Sequence, residues 1–305
     1  MGKIGFLFPG QGSQQVGMGT DLYESSAQIK DLYTRASDIL GFDIADISFN
    51  GPEEKLKQTQ YTQPALYVHS MAITLLLKEK GVVPSAAAGH SLGEFSALAA
   101  AEAYSFDDGL RLVKERGRLM QTAGEVKPGT MAAIIGLTPN DVMEICVAAR
   151  DSGIVQPANY NSPSQIVVSG SKEGVAKAVE MAKERGAKRA IELPVSGAFH
   201  SPLMADVVEE FGERLKAMDI KMVSIPVYAN VTAHPVTSID EIKSLLHNQL
   251  THSVRWVETI EHMAADGIHE FVESGAGKVL SGLVRRITRE VSCVQCGTME
   301  DLTKF

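Results

Sequence analysis

Apolar and polar positions follow two rhythms along this chain. "KIGFLF" is a continuous apolar run of strand length that ends in the glycine-rich loop "PGQGSQQVGMG", and helical spacing follows to about residue 40. "TQPALYVHSMAITLLLKEKG" has helical spacing and a glycine stop. The next segment, "VVPSAAAG", is a poor strand by composition, because alanine is depleted in sheets and Pro84 has no N–H to give a ladder. A strongly helical "EFSALAAAEA" and an amphipathic stretch over residues 107–123 follow it.

The rhythm changes near residue 127. "TMAAIIGL", "PNDVMEICVAARDSG", "VQPANYN", "QIVVSG", "SKEGVAKAVEMAKERG" and "AKRAIELPVS" read as strand, helix, strand, strand, helix and strand. This β-α-β-β-α-β order is the split ferredoxin-like unit, complete in about 70 residues. Alternation of helix and strand then resumes, from "PLMADVVEEFGERLKAM" and "IPVYANV" through a polar helix to Leu250, "VRWVETIEHMAADG", "IHEFVESG" and a closing helix "GKVLSGLVRRITRE". A mostly parallel α/β core interrupted by a small α+β insertion is therefore expected.

Composition narrows the field. The 305 residues are 44% hydrophobic, enough for a large core. Charged residues make up 22%, with both signs interspersed and a formal net charge of -8, which argues against a broad nucleic-acid or anionic-membrane surface. The segment "MGKIGFLFPG" lacks the apolar stretch of a signal peptide, Phe6 breaks a myristoylation pattern, and no run reaches the roughly 18 apolar residues of a membrane span. Cys146, Cys293 and Cys296 are odd in number, and the Cys293/Cys296 pair has no second pair to complete a zinc site. Reduced thiols and a cytoplasmic location are expected.

The candidate chemistry begins at Gly89-His90-Ser91-Leu92-Gly93, a G-x-S-x-G pattern with an apolar segment before it and a helix after it. In a strand-to-helix elbow of that kind the serine takes a strained backbone conformation, and glycines on either side let strand and helix approach. Ser91 is then a nucleophile placed at a helix start, where free N–H groups favour an oxyanion; the plainer alternative is a helix cap. The elbow makes the large domain α/β-hydrolase-like, formed by residues 1–126 and 197–305 around the ferredoxin-like insertion at 127–196.

His200 is the base candidate among eight histidines. It sits in "GAFHSPLM", just after the insertion and before Ser201-Pro202, a helix-start signature, and a helix N-terminus disfavours imidazolium. A hydrogen-bonding role at a domain junction is the alternative. Arg116 is the third candidate. On a helical wheel Leu110, Leu112, Val113, Leu119 and Met120 fill one half of the 107–123 helix, Arg111, Lys114, Glu115, Arg118 and Gln121 fill the other, and Arg116 falls among the apolar residues. A guanidinium cannot shed its proton and is costly to bury alone, so a carboxylate is expected to meet it, from the protein or from a ligand.

At this point the blocks "FLFPGQGSQ", "GHSLGEFSAL", "VKERGRLMQ", "ANYNSPSQIVVSG", "GAFHSPLM", "YANVTAHPV" and "FVESGAGKVLSGL" together resemble the malonyl-CoA:acyl carrier protein transacylases of type II fatty acid synthesis, in order over nearly the whole chain. The resemblance implies that Ser91 is the nucleophile, His200 its base and Arg116 the partner of the malonyl carboxylate. It implies an oxyanion hole from the backbone N–H groups of Gln11 and Leu92, and a carbonyl of Gln249 that orients the histidine. Phe199 and Met120 are the further substrate-binding residues; Leu92 and Phe199 match malonyl-type members and not methylmalonyl-type ones. Ala276 in "SGAGKVL" stands where relatives often have proline.

What the resemblance implies for activity is ping-pong transfer of malonyl from malonyl-CoA to the phosphopantetheine thiol of acyl carrier protein through a malonyl-serine ester. No metal or redox cofactor is expected, and neither a nucleic-acid nor a membrane partner; the chain is expected to be a monomer. "AKERGAKR" and "VRRITR" are basic segments for an acidic carrier. A serine thioesterase or hydrolase shares Ser91 and His200 and is the alternative. Nucleotide binding through "GQGSQQVGMG" or "GAGKV" is disfavoured, since the first lacks the Lys-Ser/Thr of a phosphate loop and the second its first glycine.

Overall fold

A computed structural model describes residues 2–305. Nine strands lie among the described residues: β1 (Ile4–Phe8), β2 (Ala86–Gly89), β3 (Gly129–Ile135), β4 (Val155–Ser162), β5 (Gln165–Ser171), β6 (Arg189–Glu192), β7 (Val227–Tyr228), β8 (Glu270–Ser274) and β9 (Ser292–Cys296). They form a parallel sheet of order β7-β2-β1-β8-β9 and an antiparallel sheet of order β4-β5-β3-β6. The fold is thus mixed α/β with two separate sheets.

The parallel sheet is covered on both faces, which is why β1 reads as an unbroken apolar run. β2 forms despite its alanines. All four of its residues are buried, and side chains this small let helices pack closely on either face; Pro84 lies before the strand, where its missing N–H costs no ladder bond. Gly5 pairs with Ala86 and Phe8 with Gly89, so β1 and β2 end side by side. The loops that leave their carboxyl ends, one carrying Gln11 and the other Ser91, share one edge of the sheet, the usual place for a site in such sheets.

Along β3 the period of two divides the side chains. Ala132 and Ile134 pack against the helices Pro139–Ala148 and Lys172–Glu184 in a core of their own, while Met131 and Ala133 face the main core. The small sheet is therefore buried on one side by its own helices and on the other by the large core. Residues Ala158 to Tyr160 of β4 also bond to Val254, tying the insertion to the chain that follows Gln249.

Two terminal features differ from the expectation. The closing helix stops at Ile287, and the edge strand β9 follows it. "SCVQC" carries one large apolar residue, and an edge strand with a half-exposed face gives little periodicity to read. β6 occupies only Arg189–Glu192 of the longer predicted strand and is largely exposed. No helix among the described residues is long and apolar enough to cross a membrane.

Candidate active site

Ser91 occupies the turn between β2 and the helix Leu92–Ala100, with φ 52° and ψ -105°. That conformation strains a residue with a Cβ, and close packing on both sides holds it. A Cβ on Gly89 would lie 1.9 Å from the carbonyl carbon and oxygen of Gly93, and one on Gly93 would lie 2.0 Å from the Phe8 carbonyl oxygen. Glycine is required at both positions because strand and helix touch backbone to backbone. Asn230 completes the corner: its Oδ1 accepts from the Ser91 N–H at 2.7 Å and its Nδ2 donates to the Gly89 carbonyl at 2.6 Å.

Ser91 Oγ stands 2.8 Å from Nε2 of His200, and Nδ1 of His200 stands 2.8 Å from the main-chain oxygen of Gln249. A carbonyl can only accept, so Nδ1 carries the ring proton and Nε2 is left as the acceptor for the serine hydroxyl. Burial, first, and the Arg116 charge, second, push the imidazole down to about 3, so it is neutral near pH 7. The expected helix start is present as a 3₁₀ turn, Pro202–Met204, capped by Ser201 and running straight into the helix Ala205–Ala217, but burial and not the helix is the leading cause of the neutral ring. His200 itself has φ 57°. From β4, Gln156 Nε2 donates to the His200 carbonyl at 2.8 Å and to the Thr251 carbonyl at 3.0 Å, fixing both segments that make up the base.

Arg116 is 1% exposed, as its place on the apolar half of the helix Phe106–Val126 requires. The carboxylate expected from the protein is not its hydrogen-bond partner. Nη1 donates to Gln63 Oε1 at 2.7 Å, and Nη2 donates to Gln249 Oε1 at 2.8 Å and to Ser91 Oγ at 3.1 Å. The guanidinium carbon lies 5.1 Å from the Phe95 ring centroid. Two neutral amides and an aromatic face solvate the charge without neutralising it, which leaves it able to pair with an incoming anion.

Gln11, Leu92, Met120 and Phe199 line the same cavity of about 150 Å³, onto which Ser91, Arg116 and His200 open. The Gln11 side chain bonds Thr59 Oγ1 at 3.3 Å. The backbone N–H groups of Gln11 and Leu92 have no acceptor among the described residues. Every candidate site residue but Gln249 lines one cavity, Gln249 lying buried behind Arg116 and His200, and the arrangement suits attack of a serine on a carbonyl whose acyl group ends in an anion.

Gln63, Glu94, Gln156 and Asn230 belong to the same network and were not singled out in the sequence. Glu94 had a signal: it is a lone acid on a helix otherwise of Leu, Gly, Phe, Ser and Ala, the pattern that exposed Arg116. The others are uncharged amides, and amphipathic reasoning gives them no contrast with their neighbours.

Comparisons with known proteins give the family. Residues 5–301 match the acyl transferase domain family. The malonyl CoA-acyl carrier protein transacylase of Bacillus subtilis is 45% identical over 303 residues, which are 99% of this chain and 96% of that one. An acyl carrier protein S-malonyltransferase structure from Vibrio cholerae superposes with a TM-score of 0.95 at 41% identity, covering 99% of both chains. A malonyl-transacylase solved with its type II PKS acyl-carrier protein superposes at 0.96 with 39% identity, over 99% of this chain and 98% of that one. The chain belongs to the acyl transferase domain family, in the branch of the malonyl-CoA:acyl carrier protein transacylases.

Proposed function

We propose that this protein moves a malonyl group from malonyl-CoA to the phosphopantetheine thiol of acyl carrier protein, through an ester on Ser91. The observation that carries this reading is the unbroken chain Arg116 Nη2, Ser91 Oγ, His200 Nε2, His200 Nδ1, Gln249 O. In it one hydroxyl is polarised by a base on one side and stands beside a fixed cation on the other.

As Ser91 Oγ attacks the thioester carbon, His200 Nε2 takes the hydroxyl proton, and the backbone N–H groups of Gln11 and Leu92 receive the oxyanion. The C–S bond then breaks, His200 returns the proton to the CoA thiolate, and malonyl-Ser91 remains. The carrier thiol gives its proton to His200 and attacks the ester, and the proton passes back to Ser91 as the thioester forms. Every bond and proton is accounted for by Ser91, His200 and two thiols, with ping-pong kinetics as the consequence. The malonyl carboxylate lies one methylene beyond the ester carbonyl, so a guanidinium 3.1 Å from Ser91 Oγ is placed to pair with it. Phe199 and Met120 bound the acyl pocket.

The same reading makes the core, residues 1–126 and 197–305, hydrolase-like and the insertion, 127–196, ferredoxin-like; the antiparallel order β4-β5-β3-β6 supports the latter. The decisive experiment mixes the protein with malonyl-CoA, quenches, and looks for a malonyl adduct on the Ser91 peptide by mass spectrometry. Rapid loss of that adduct to carrier protein, with slow loss to water, is the expected result. Rapid release of free malonate without an acceptor makes the protein a thioesterase instead, and absence of any adduct from wild type removes the reading.

A further inference from the structure

Glu94 has been given no part in the reaction, yet it is joined to all of the site. It lies three residues beyond Ser91 and is 2% exposed. Its Oε2 accepts from Gln249 Nε2 at 2.7 Å and from the Asn230 N–H at 3.1 Å. Those donors lead on to the active groups. The Gln249 amide, with its nitrogen turned to Glu94 and to the Ser91 carbonyl, presents its oxygen to Arg116, and Asn230 holds the backbone that leads into the nucleophile, at Gly89 and at the Ser91 N–H.

We propose that Glu94 is a positioning residue whose carboxylate is the counter-charge of Arg116, acting across the Gln249 amide. It fixes the direction of that amide and holds the guanidinium beside Ser91 until a substrate carboxylate arrives. The two charges need each other, because burial works against both: it pushes the Glu94 carboxyl up and the Arg116 guanidinium down, and the attraction between them opposes each shift. The counter-charge also has a cost for substrate. A malonyl carboxylate must share Arg116 with Glu94, so Glu94 weakens ground-state binding of malonyl-CoA. In return the negative charge favours the imidazolium that forms on His200 as Ser91 attacks.

These two effects have opposite signs and can be separated. Glu94→Gln keeps an oxygen able to accept from Gln249 and Asn230 and removes only the charge. In single-turnover acylation of Ser91 at pH 8, E94Q is expected to lower the saturating rate about tenfold with malonyl-CoA and with acetyl-CoA. The half-saturating concentration should fall several-fold for malonyl-CoA alone. Glu94→Asp, which keeps the charge, should acylate more slowly while its malonyl-CoA half-saturation stays within about twofold of wild type. A residue that merely supported the helix would give E94Q a weaker or unchanged half-saturation for both thioesters, and that result overturns the proposal. So does a malonyl-CoA half-saturation of E94D that departs from wild type by more than about twofold, a result that decides the matter even should E94Q not fold. The inference rests on Ser91 acylation: absence of a wild-type adduct sinks that reading, whereas a normal adduct with unaltered E94Q constants sinks this one only.

Discussion

The main-chain oxygen of Gln249 accepts from His200 Nδ1 at 2.8 Å, in the position that a Ser-His-Asp triad gives to a carboxylate. A carboxylate there would set a negative charge beside the malonyl anion, and a peptide carbonyl fixes the same tautomer without it. Because the carbonyl belongs to the backbone, it survives replacement of the side chain. Gln249→Ala should therefore leave acylation by acetyl-CoA within about tenfold of wild type and cut acylation by malonyl-CoA about a hundredfold, since only the side chain holds Arg116. Equal loss with both thioesters, measured by quenched flow, would place the effect on His200.

Arg116 makes three hydrogen bonds from two nitrogens of a planar fork, to Gln63, Gln249 and Ser91. Arg116→Ala should lower kcat/KM for malonyl-CoA by a factor on the order of 10²–10³, and that for acetyl-CoA by no more than a few-fold. Arg116→Lys should not restore malonyl transfer, because a single ammonium cannot span Gln63 and Gln249 and still reach the acyl group. Malonyl activity near wild type in the lysine variant counts against bidentate recognition.

His200→Ala removes the group proposed to take the Ser91 proton. The acylation rate with malonyl-CoA should drop by about 10²–10⁴, with the thermal midpoint little changed. A rate close to wild type would move the base to another group, and His90, whose Nε2 lies 2.8 Å from Asn161 Oδ1, borders the same cavity.

A methyl on Gly93 would stand 2.0 Å from the Phe8 carbonyl oxygen, which is backbone of the central strand and cannot turn aside. Gly93→Ala should cost about 3 kcal/mol or more and spoil the corner that carries Ser91. Denaturant unfolding reads the loss. By contrast Gly282→Ala, where nothing lies within 4 Å, should leave stability at or slightly above wild type, so the pair distinguishes crowding from the loss of glycine as such.

Much of this site could be read from the sequence because its parts break local rules. A serine between two glycines after an apolar run, and an arginine on the apolar half of a helix, are contradictions that folding alone would not keep. Gln249 and Gln11 break no rule. Their relevant groups are a main-chain carbonyl and a main-chain N–H, which every residue owns, so only the family resemblance singled them out. Glu94 does break the rule that found Arg116, on a helix too short and too uniformly small for an apolar face to stand out. In the fold, β1 and the β-α-β-β-α-β order followed from pattern, whereas β2 is a poor strand by composition that burial makes, and β9 lay hidden as a polar edge strand whose pairing with β8 is a tertiary fact.

Acid should act on stability before it acts on the base. Burial pushes His200 down to about 3 and His69 down to about 4, and it lowers His90 as well, against an ordinary value near 6.5. Between those folded values and 6.5 the unfolded chain binds protons that the folded chain refuses, so stability is lost as pH falls through that window. Two carboxyls work the other way: burial raises Glu94 and Glu273, and a raised acid contributes stability below its unfolded value that disappears as pH rises. The three histidines outnumber the two carboxyls, so the net effect is a loss of stability as pH falls below 6.5. The acylation rate of the folded protein, by contrast, should fall by no more than about tenfold from pH 8 to pH 5, the loss expected as Glu94 takes up a proton, because Nε2 of His200 remains unprotonated throughout. Urea midpoints and quench-flow rates measured on the same samples decide the matter. A rate that keeps falling about tenfold per pH unit below pH 6.5, while the urea midpoint holds steady, would mean an imidazole that titrates as it does in water, and so a base far less buried than this geometry requires.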